Sequence, residues 1–274
     1  MAAFDLQKFE ESCKENGVRY WDAMDFMRKL GYETWQSFQK VINRAISSCA
    51  QLGINIGDVF IPITVIEDSK VINSYKLTRF ACLLVTMHAD SNKPAVAEAK
   101  VALAAVADAL IAQALSSDSL ERIEIREELK AGESIMSKAA ARAGIESKQY
   151  GIFKDAGVRG MYNMPLKSLV AYKKAPGDKT LYDYMGKTEL AANLFRVTQT
   201  AERITNKNVR GLDHLSKTAK DVGAEVRSVM LRSSGVAPEN LKLEQDISKV
   251  KTQIKSAHRE MKKLDSKPKP KSTK

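Results

Sequence analysis

The chain has 274 residues, 44% of them hydrophobic, with a formal net charge of +11, which at roughly one domain per 150 residues suggests two domains. No apolar run approaches the ~18 residues a membrane span needs, and the opening MAAFDLQKFEESCK has no apolar signal segment, so an intracellular protein is expected. Ten Lys/Arg against three Asp/Glu between Asp246 and Lys274 leave +7 there and only +4 on the rest, which excludes a uniformly basic globule and describes a nearly balanced body with a basic tail.

The first residues, Phe4 to Tyr20, contain Glu15-Asn16-Gly17. Asn-Gly is a hairpin signal, so a short hairpin ending at Val18–Tyr20 is expected, with Phe4–Cys13 equally readable as a helix. Trp21, Met24, Met27 and Leu30 recur at helical spacing, and Gly31 is suited to end that helix. Thr34 can cap a second helix reaching about Leu52, with Trp35, Phe38, Val41, Ile42, Ala45, Ile46 and Cys49 inside. Its outer face holds Gln36, Gln39, Lys40, Asn43, Arg44 and Ser47. Two helices joined by a glycine turn, the second with such a face, are the ingredients of a helix-turn-helix; the same residues also make an ordinary solvated face. Cys13, Cys49 and Cys82 are odd in number and lack CxxC spacing, which fits reduced thiols rather than a disulfide or zinc framework.

Val59–Ile66 and Val71–Leu77 read as two strands turned by Glu67-Asp68-Ser69-Lys70, with Pro62 at an edge or bulge. They feed YKLTRFACLLVTMHADSNKP, residues 75–94. Thr78 can cap a helix with almost no polar face, and Pro94 suits the first position of the next helix. Arg79 in so apolar a helix is costly unless it is ion-paired.

Leu77-Thr78-Arg79-Phe80-Ala81-Cys82 with Lys93-Pro94, and upstream Trp21-Asp22-Ala23 with Leu30-Gly31-Tyr32, resemble the BRO-N domain of phage antirepressors and of the bacterial DNA-damage-inducible D family. Downstream, GKTELAANLFRVTQT, residues 186–200, resembles the second half of that D family. The resemblance implies a bacterial cytoplasmic protein, nucleoid-associated or of prophage origin, that works in the SOS response. It implies binding to DNA, single-stranded rather than double-stranded, and antagonism of a RecA-type recombinase filament. An antirepressor that binds a repressor protein is the alternative it leaves open. Gln36, Lys40, Asn43, Arg44, Lys93, Lys173 and Lys174 are the residues expected to contact nucleic acid. The chain departs from its family in helix 94–115, where relatives carry an aromatic pair and Gln-Thr-Arg; here stand Ala102-Leu103 and Val106-Ala107-Asp108.

Beyond Ser116–Ser119, a turn and cap cluster, Leu120–Ala143 is a charged helix with Leu120, Ile123, Leu129 and Met136 inside, stopped by Gly144. Gly151–Asn163 reads as a glycine turn between helices, and Tyr172-Lys173-Lys174 as a basic-aromatic cluster suited to stacking plus phosphate contact, or as a solvated loop. Gly186-Lys187-Thr188 is not a phosphate loop, because Leu181 stands where its first glycine is required and no strand precedes it. A helix then buries Leu190, Ala191, Leu194 and Phe195 and exposes Glu189, Asn193 and Arg196; another runs from Thr218 to about Arg232. Leu243, Ile247, Val250, Ile254, Ala257, Met261 and Leu264 form a heptad seam, either folded onto the body or pairing two copies into a homodimer, before the Lys/Pro tail 267–274.

The fold expected is thus α+β and predominantly helical. A BRO-N-like domain over 1–117, with a β-hairpin sheet and packed helices, precedes an all-α region over 118–240 and a heptad helix with basic tail over 241–274. His88, His214 and His258 share no metal-ligand spacing, and no nucleophile motif occurs, so neither metal nor cofactor is expected and the chain reads as a non-enzyme. A metal-dependent nuclease built on scattered carboxylates is the third reading.

Overall fold

The computed structural model describes residues 4–67, 70–106, 116–177 and 179–266. It is α+β and mostly helical, with a small antiparallel sheet near the N-terminus and helices through the C-terminal half. Internal contacts define two units, Met1–Leu120 with Lys249–Lys274, and Glu121–Ser248. The expected third segment, 241–274, is not separate: from Lys249 onward it belongs to the first unit.

In the first unit, α1 (Leu6–Glu11) starts at Asp5, whose carboxylate accepts from the backbone N–H of Gln7 and Lys8. Both alternatives for this stretch are realised, because the helix is followed by a hairpin of β1 (Lys14–Glu15) and β2 (Arg19–Asp22) with Gly17 at φ 74°. Trp21 therefore belongs to a strand and not to the following helix. Its ring stacks on Phe9 at 4.4 Å and its indole N–H donates to the Phe9 carbonyl at 2.8 Å. After β2 come α2 (Ala23–Lys29) and α3 (Trp35–Gln51), the latter capped by the Thr34 hydroxyl.

Next are β3 (Phe60–Glu67) and β4 (Lys70–Leu77), paired antiparallel from Phe60↔Leu77 to Glu67↔Lys70. The middle of their expected turn, 68–69, lies outside the described residues. The sheet order β1-β2-β4-β3 leaves β3 at an edge, where Pro62 removes no ladder hydrogen bond from a central strand. The central helix, α4 (Arg79–His88), is capped by Thr78, whose Oγ1 accepts from the Ala81 N–H at 3.2 Å. Every α4 residue but His88 is buried. Each large apolar side chain among them stabilises by about 1.5–3 kcal/mol through removal from water. In α5 (Pro94–Ala105), Pro94 holds the first turn. The rest of the expected helix, 107–115, lies outside the described residues, and so does the tail 267–274.

The second unit takes most of α6 (Ser117–Arg142), then α7 (Tyr150–Tyr162), α8 (Leu166–Tyr172), α9 (Lys187–Asn206) and α10 (Leu212–Ser234). Two expectations fail here. The stretch Gly151–Asn163 is a helix, not a turn. Its glycines let α10 come close: a Cβ on Gly160 would overlap the Lys220 carbonyl, and one on Gly223 would overlap the Gly157 carbonyl. The inner face of α9 also differs from the one expected. Leu190 is buried as expected, but Glu189, Asn193 and Arg196 are buried too, whereas Phe195 is 54% exposed and Ala191 lies at the surface.

The last helix, α11 (Ile247–Asp265), returns the chain to the first unit. Val250, Ile254, Ala257 and Met261 are buried there, His258 packs its ring 4.9 Å from that of Phe80, and Lys262 reaches Asp58 at 3.1 Å. Of the two readings of the heptad seam, the fold-back onto the body is seen for Ile247, Val250, Ile254, Ala257 and Met261, which are buried, whereas Leu264 is exposed.

Candidate nucleic-acid interface

The face expected to meet nucleic acid forms as one surface. Phe38, Ile42, Ala45 and Cys49 are fully buried on one side of α3. Gln36, Lys40, Asn43 and Arg44, at helical spacing on the other side, are all exposed. No Asp or Glu occurs within α3. Lys40 and Arg44 are thus like charges one turn apart without an intrahelical acid, an arrangement that costs a few tenths of a kcal/mol in an isolated helix. An external anion would relieve it.

The entry into α3 is held from both sides. Gly31 takes φ 74°, which a glycine adopts freely, and the Thr34 hydroxyl accepts from the Ser37 N–H at 3.4 Å. The turn after α4 closes on this entry. The Asp90 N–H donates to the Tyr32 hydroxyl at 2.9 Å, and the Lys93 ammonium donates to the Gly31 carbonyl at 2.9 Å while lying 5.0 Å from the Tyr32 ring centroid. Lys93 therefore positions the α3 turn.

The Tyr172-Lys173-Lys174 cluster does not present two cations. The Lys173 side chain is 2% exposed, and its ammonium donates to Glu189 Oε2 at 3.1 Å and to the carbonyls of Pro238 and Leu241 at 3.2 and 2.8 Å. That removes Lys173 from the nucleic-acid contacts expected of it: every proton of the ammonium is already engaged inside the second unit. Lys174 is exposed, and the Tyr172 hydroxyl donates to Asn240 Oδ1 at 2.8 Å.

Sequence reasoning missed what surrounds Glu189. The Tyr162 hydroxyl donates to Glu189 at 2.9 Å, Asn193 Nδ2 donates to the Tyr162 hydroxyl at 2.7 Å, and Arg196 reaches Asn193 at 3.2 Å and the Tyr182 hydroxyl at 3.1 Å. Burial raises both the Glu189 carboxyl and the Tyr162 phenol, with Lys173 pulling Glu189 back down. Polar residues at successive turns of α9, Glu189, Asn193 and Arg196, were the available signal. Their buried partners come from three other elements.

Arg79 is likewise enclosed. Its guanidinium binds Glu10 through two nitrogens, lies 5.0 Å from the Trp21 ring, and meets Asp265 at 3.1 Å. The thiols are buried as well: Cys49 is pushed up to about 12 by burial, and Cys82 well up for the same reason, so neither supplies a thiolate nucleophile at neutral pH. His88, at the end of α4, stands with Nε2 2.7 Å from the Ser48 hydroxyl. Among the described residues no group of three or more His, Cys, Asp and Glu could hold a metal ion, and no helix is long and apolar enough to cross a membrane.

Residues 115–250 match the family model of the DinD C-terminal domain. The chain is 31% identical over 250 residues to the DNA damage-inducible protein D of Escherichia coli strain K12, an alignment covering 86% of this chain and 91% of that protein. The family-model match spans the motif at 186–200, and the alignment over 86% of the chain agrees with the D family read there.

Proposed function

The chain belongs to the DNA damage-inducible protein D family, and on that footing we propose that it is a non-enzymatic regulator of DNA recombination in the DNA-damage response. It binds single-stranded DNA, or the RecA-type recombinase filament formed on it, in the bacterial cytoplasm. The observation that supports this reading is the α3 face, with Gln36, Lys40, Asn43 and Arg44 exposed on a helix whose inner side is locked into the core. Lysine and arginine supply phosphate contacts, while Gln36 and Asn43 can both donate to and accept from bases or a partner's backbone.

The experiment is a filament-disassembly assay. A recombinase filament is assembled on single-stranded DNA and challenged with micromolar protein, in parallel with binding to the naked strand across a salt series. Loss of filament or binding to the strand, weakened in the Lys40→Ala/Arg44→Ala double variant, is the expected result. An intact filament together with no binding to the strand would remove the proposal. Capture of a repressor protein by a chain that leaves both untouched would replace it with the antirepressor reading.

A further inference from the structure

A cleft of about 530 Å³ lies in the second unit, between the last turns of α6, the last turns of α9 and the loop that follows α9. Its walls carry Lys138 and Arg142 from α6 and Arg210 from the loop, all exposed. Lys138 and Arg142 are again like charges at i and i+4. Among the described residues none of the three cations has a carboxylate partner; Arg210 bonds only the Asn208 side chain, at 3.2 Å. Glu202 is the one acid on the lining. The loop is fixed rather than merely nearby, because the Gly211 N–H donates to the Ala143 carbonyl at 3.2 Å and Asn208 is held at φ 47°.

The floor is apolar, formed in part by Ala139, Ala201, Ile204 and Val209. One turn before Thr198, a lining residue, α9 presents Phe195, and α6 presents Ile135 at the cleft wall; these two are 54% and 59% exposed. Phe195 and Ile135 put exposed apolar surface on the same two helices that carry the cleft and its α6 cations, Lys138 and Arg142, and the combination has a specific chemical fit. Cations take phosphates, an aromatic face takes a base, and a sequence-tolerant groove for a single strand needs both. An acidic peptide would satisfy the cations and leave the Phe195 face uncovered.

The geometry points to this cleft as a binding groove for a single-stranded polynucleotide, with phosphates against Lys138, Arg142 and Arg210 and a base stacked on Phe195. The inference rests on the reading that this chain handles DNA, but not on α3.

The test is fluorescence anisotropy of a labelled oligothymidylate of about 20 nucleotides, measured at several salt concentrations with the full chain. Four proteins are compared: wild type, Lys138→Glu/Arg142→Glu, Phe195→Ala and Lys40→Ala/Arg44→Ala. All the altered side chains are exposed, and unchanged circular dichroism and urea midpoints establish folding. The expected result is a loss of at least about tenfold for the Lys138/Arg142 variant, with a shallower salt dependence of about 0.7 per lost phosphate contact. Phe195→Ala loses at least about fivefold with the salt slope unchanged, the signature of stacking. Crosslinking with a 4-thiothymidine oligonucleotide should label peptides within 135–142 or 195–210.

Wild-type binding in both cleft variants overturns the inference; if Lys40→Ala/Arg44→Ala alone loses the strand, the α3 reading survives. Loss only in the cleft variants has the converse meaning. An Lys138/Arg142 effect without a Phe195 effect, matched by competition from polyglutamate, makes the cleft a general anion surface and also overturns it. A wild type that does not bind the strand overturns it outright.

Discussion

Arg79, the first residue of α4, and Asp265, the last residue of α11, hold each other twice across 186 positions of sequence. The Arg79 backbone N–H donates to Asp265 Oδ2 at 2.9 Å and its Nε donates to Oδ1 at 3.1 Å. Asp265 thus joins Thr78 in satisfying the free donors at the start of the central helix, and it neutralises a cation whose side chain is 3% exposed.

Asp265→Ala leaves that guanidinium with Glu10 alone and the Arg79 N–H without an acceptor. A buried charge that loses a partner costs about 3 kcal/mol or more. The urea midpoint should therefore fall markedly, with native-state proteolysis appearing in both Leu6–His88 and α11. A midpoint within error of wild type would show that Glu10 suffices.

Gly160→Ala tests the close approach of α7 and α10. The added Cβ meets backbone, the Lys220 carbonyl, so it cannot be accommodated by turning a side chain. Overpacking of this kind costs about 3 kcal/mol. Gly151→Ala, in the same helix, meets nothing within 4 Å and should stabilise by about 0.5 kcal/mol through the more restricted unfolded chain. Thermal melts of the two variants should move in opposite directions; equal shifts would mean that the helix tolerates the methyl by sliding.

These two sites mark where the sequence stopped being legible. Thr34, Thr78, Gly31 and Pro94 were readable because each acts within one turn of its own backbone. The α3 face was readable because one helix carries it. Gly157 and Gly160 were misread because a glycine looks the same whether it bends a chain or admits a neighbour. Part of the inner face of α9 was missed because apolar content assigned it, whereas Glu189 and Arg196 are made tolerable inside by Lys173, Tyr162, Asn193 and Tyr182. The heptad seam stated that α11 has an apolar stripe, and spacing alone does not say what covers it. Lys138 and Arg210 are far apart in sequence, so only the fold brings them to one cleft.

Acidification should expose the Arg227–Glu239 pair. Arg227 grips Glu239 through both terminal nitrogens, at 2.5 and 2.8 Å, and also donates to the Met161 carbonyl at 2.9 Å. Hydrogen bonds from Arg227 are the main reason the Glu239 carboxyl is lowered from its ordinary 4.5. A lowered folded value means that stabilisation is complete above the ordinary value and is lost as pH falls through the depressed one. Glu189, raised by burial, works in the opposite sense and gains stability as it takes up a proton. Urea midpoints from pH 7 down to about pH 3 should show Glu239→Gln less stable than wild type at neutrality, with the gap closing below the ordinary carboxylate value. A gap constant across the series would mean that the pair contributes nothing through its charge.

Adjacent lysines Lys173 and Lys174 should behave as unrelated residues. Lys174 is exposed, and Lys174→Ala should change stability by no more than about 0.5 kcal/mol. The Lys173 ammonium sits against Glu189, whose side chain is 1% exposed, and closes the carbonyls of Pro238 and Leu241. Lys173→Ala removes the cation and leaves Glu189 as a buried anion held only by Tyr162, a loss of about 3 kcal/mol. The double variant Lys173→Met/Glu189→Gln should recover part of that loss, because it removes the stranded charge together with its partner. Chemical denaturation of the three proteins checks the argument. If Lys173→Ala were as stable as Lys174→Ala, or the double variant no better than the single, the buried pair would not be what fixes the chain between Pro238 and Leu241.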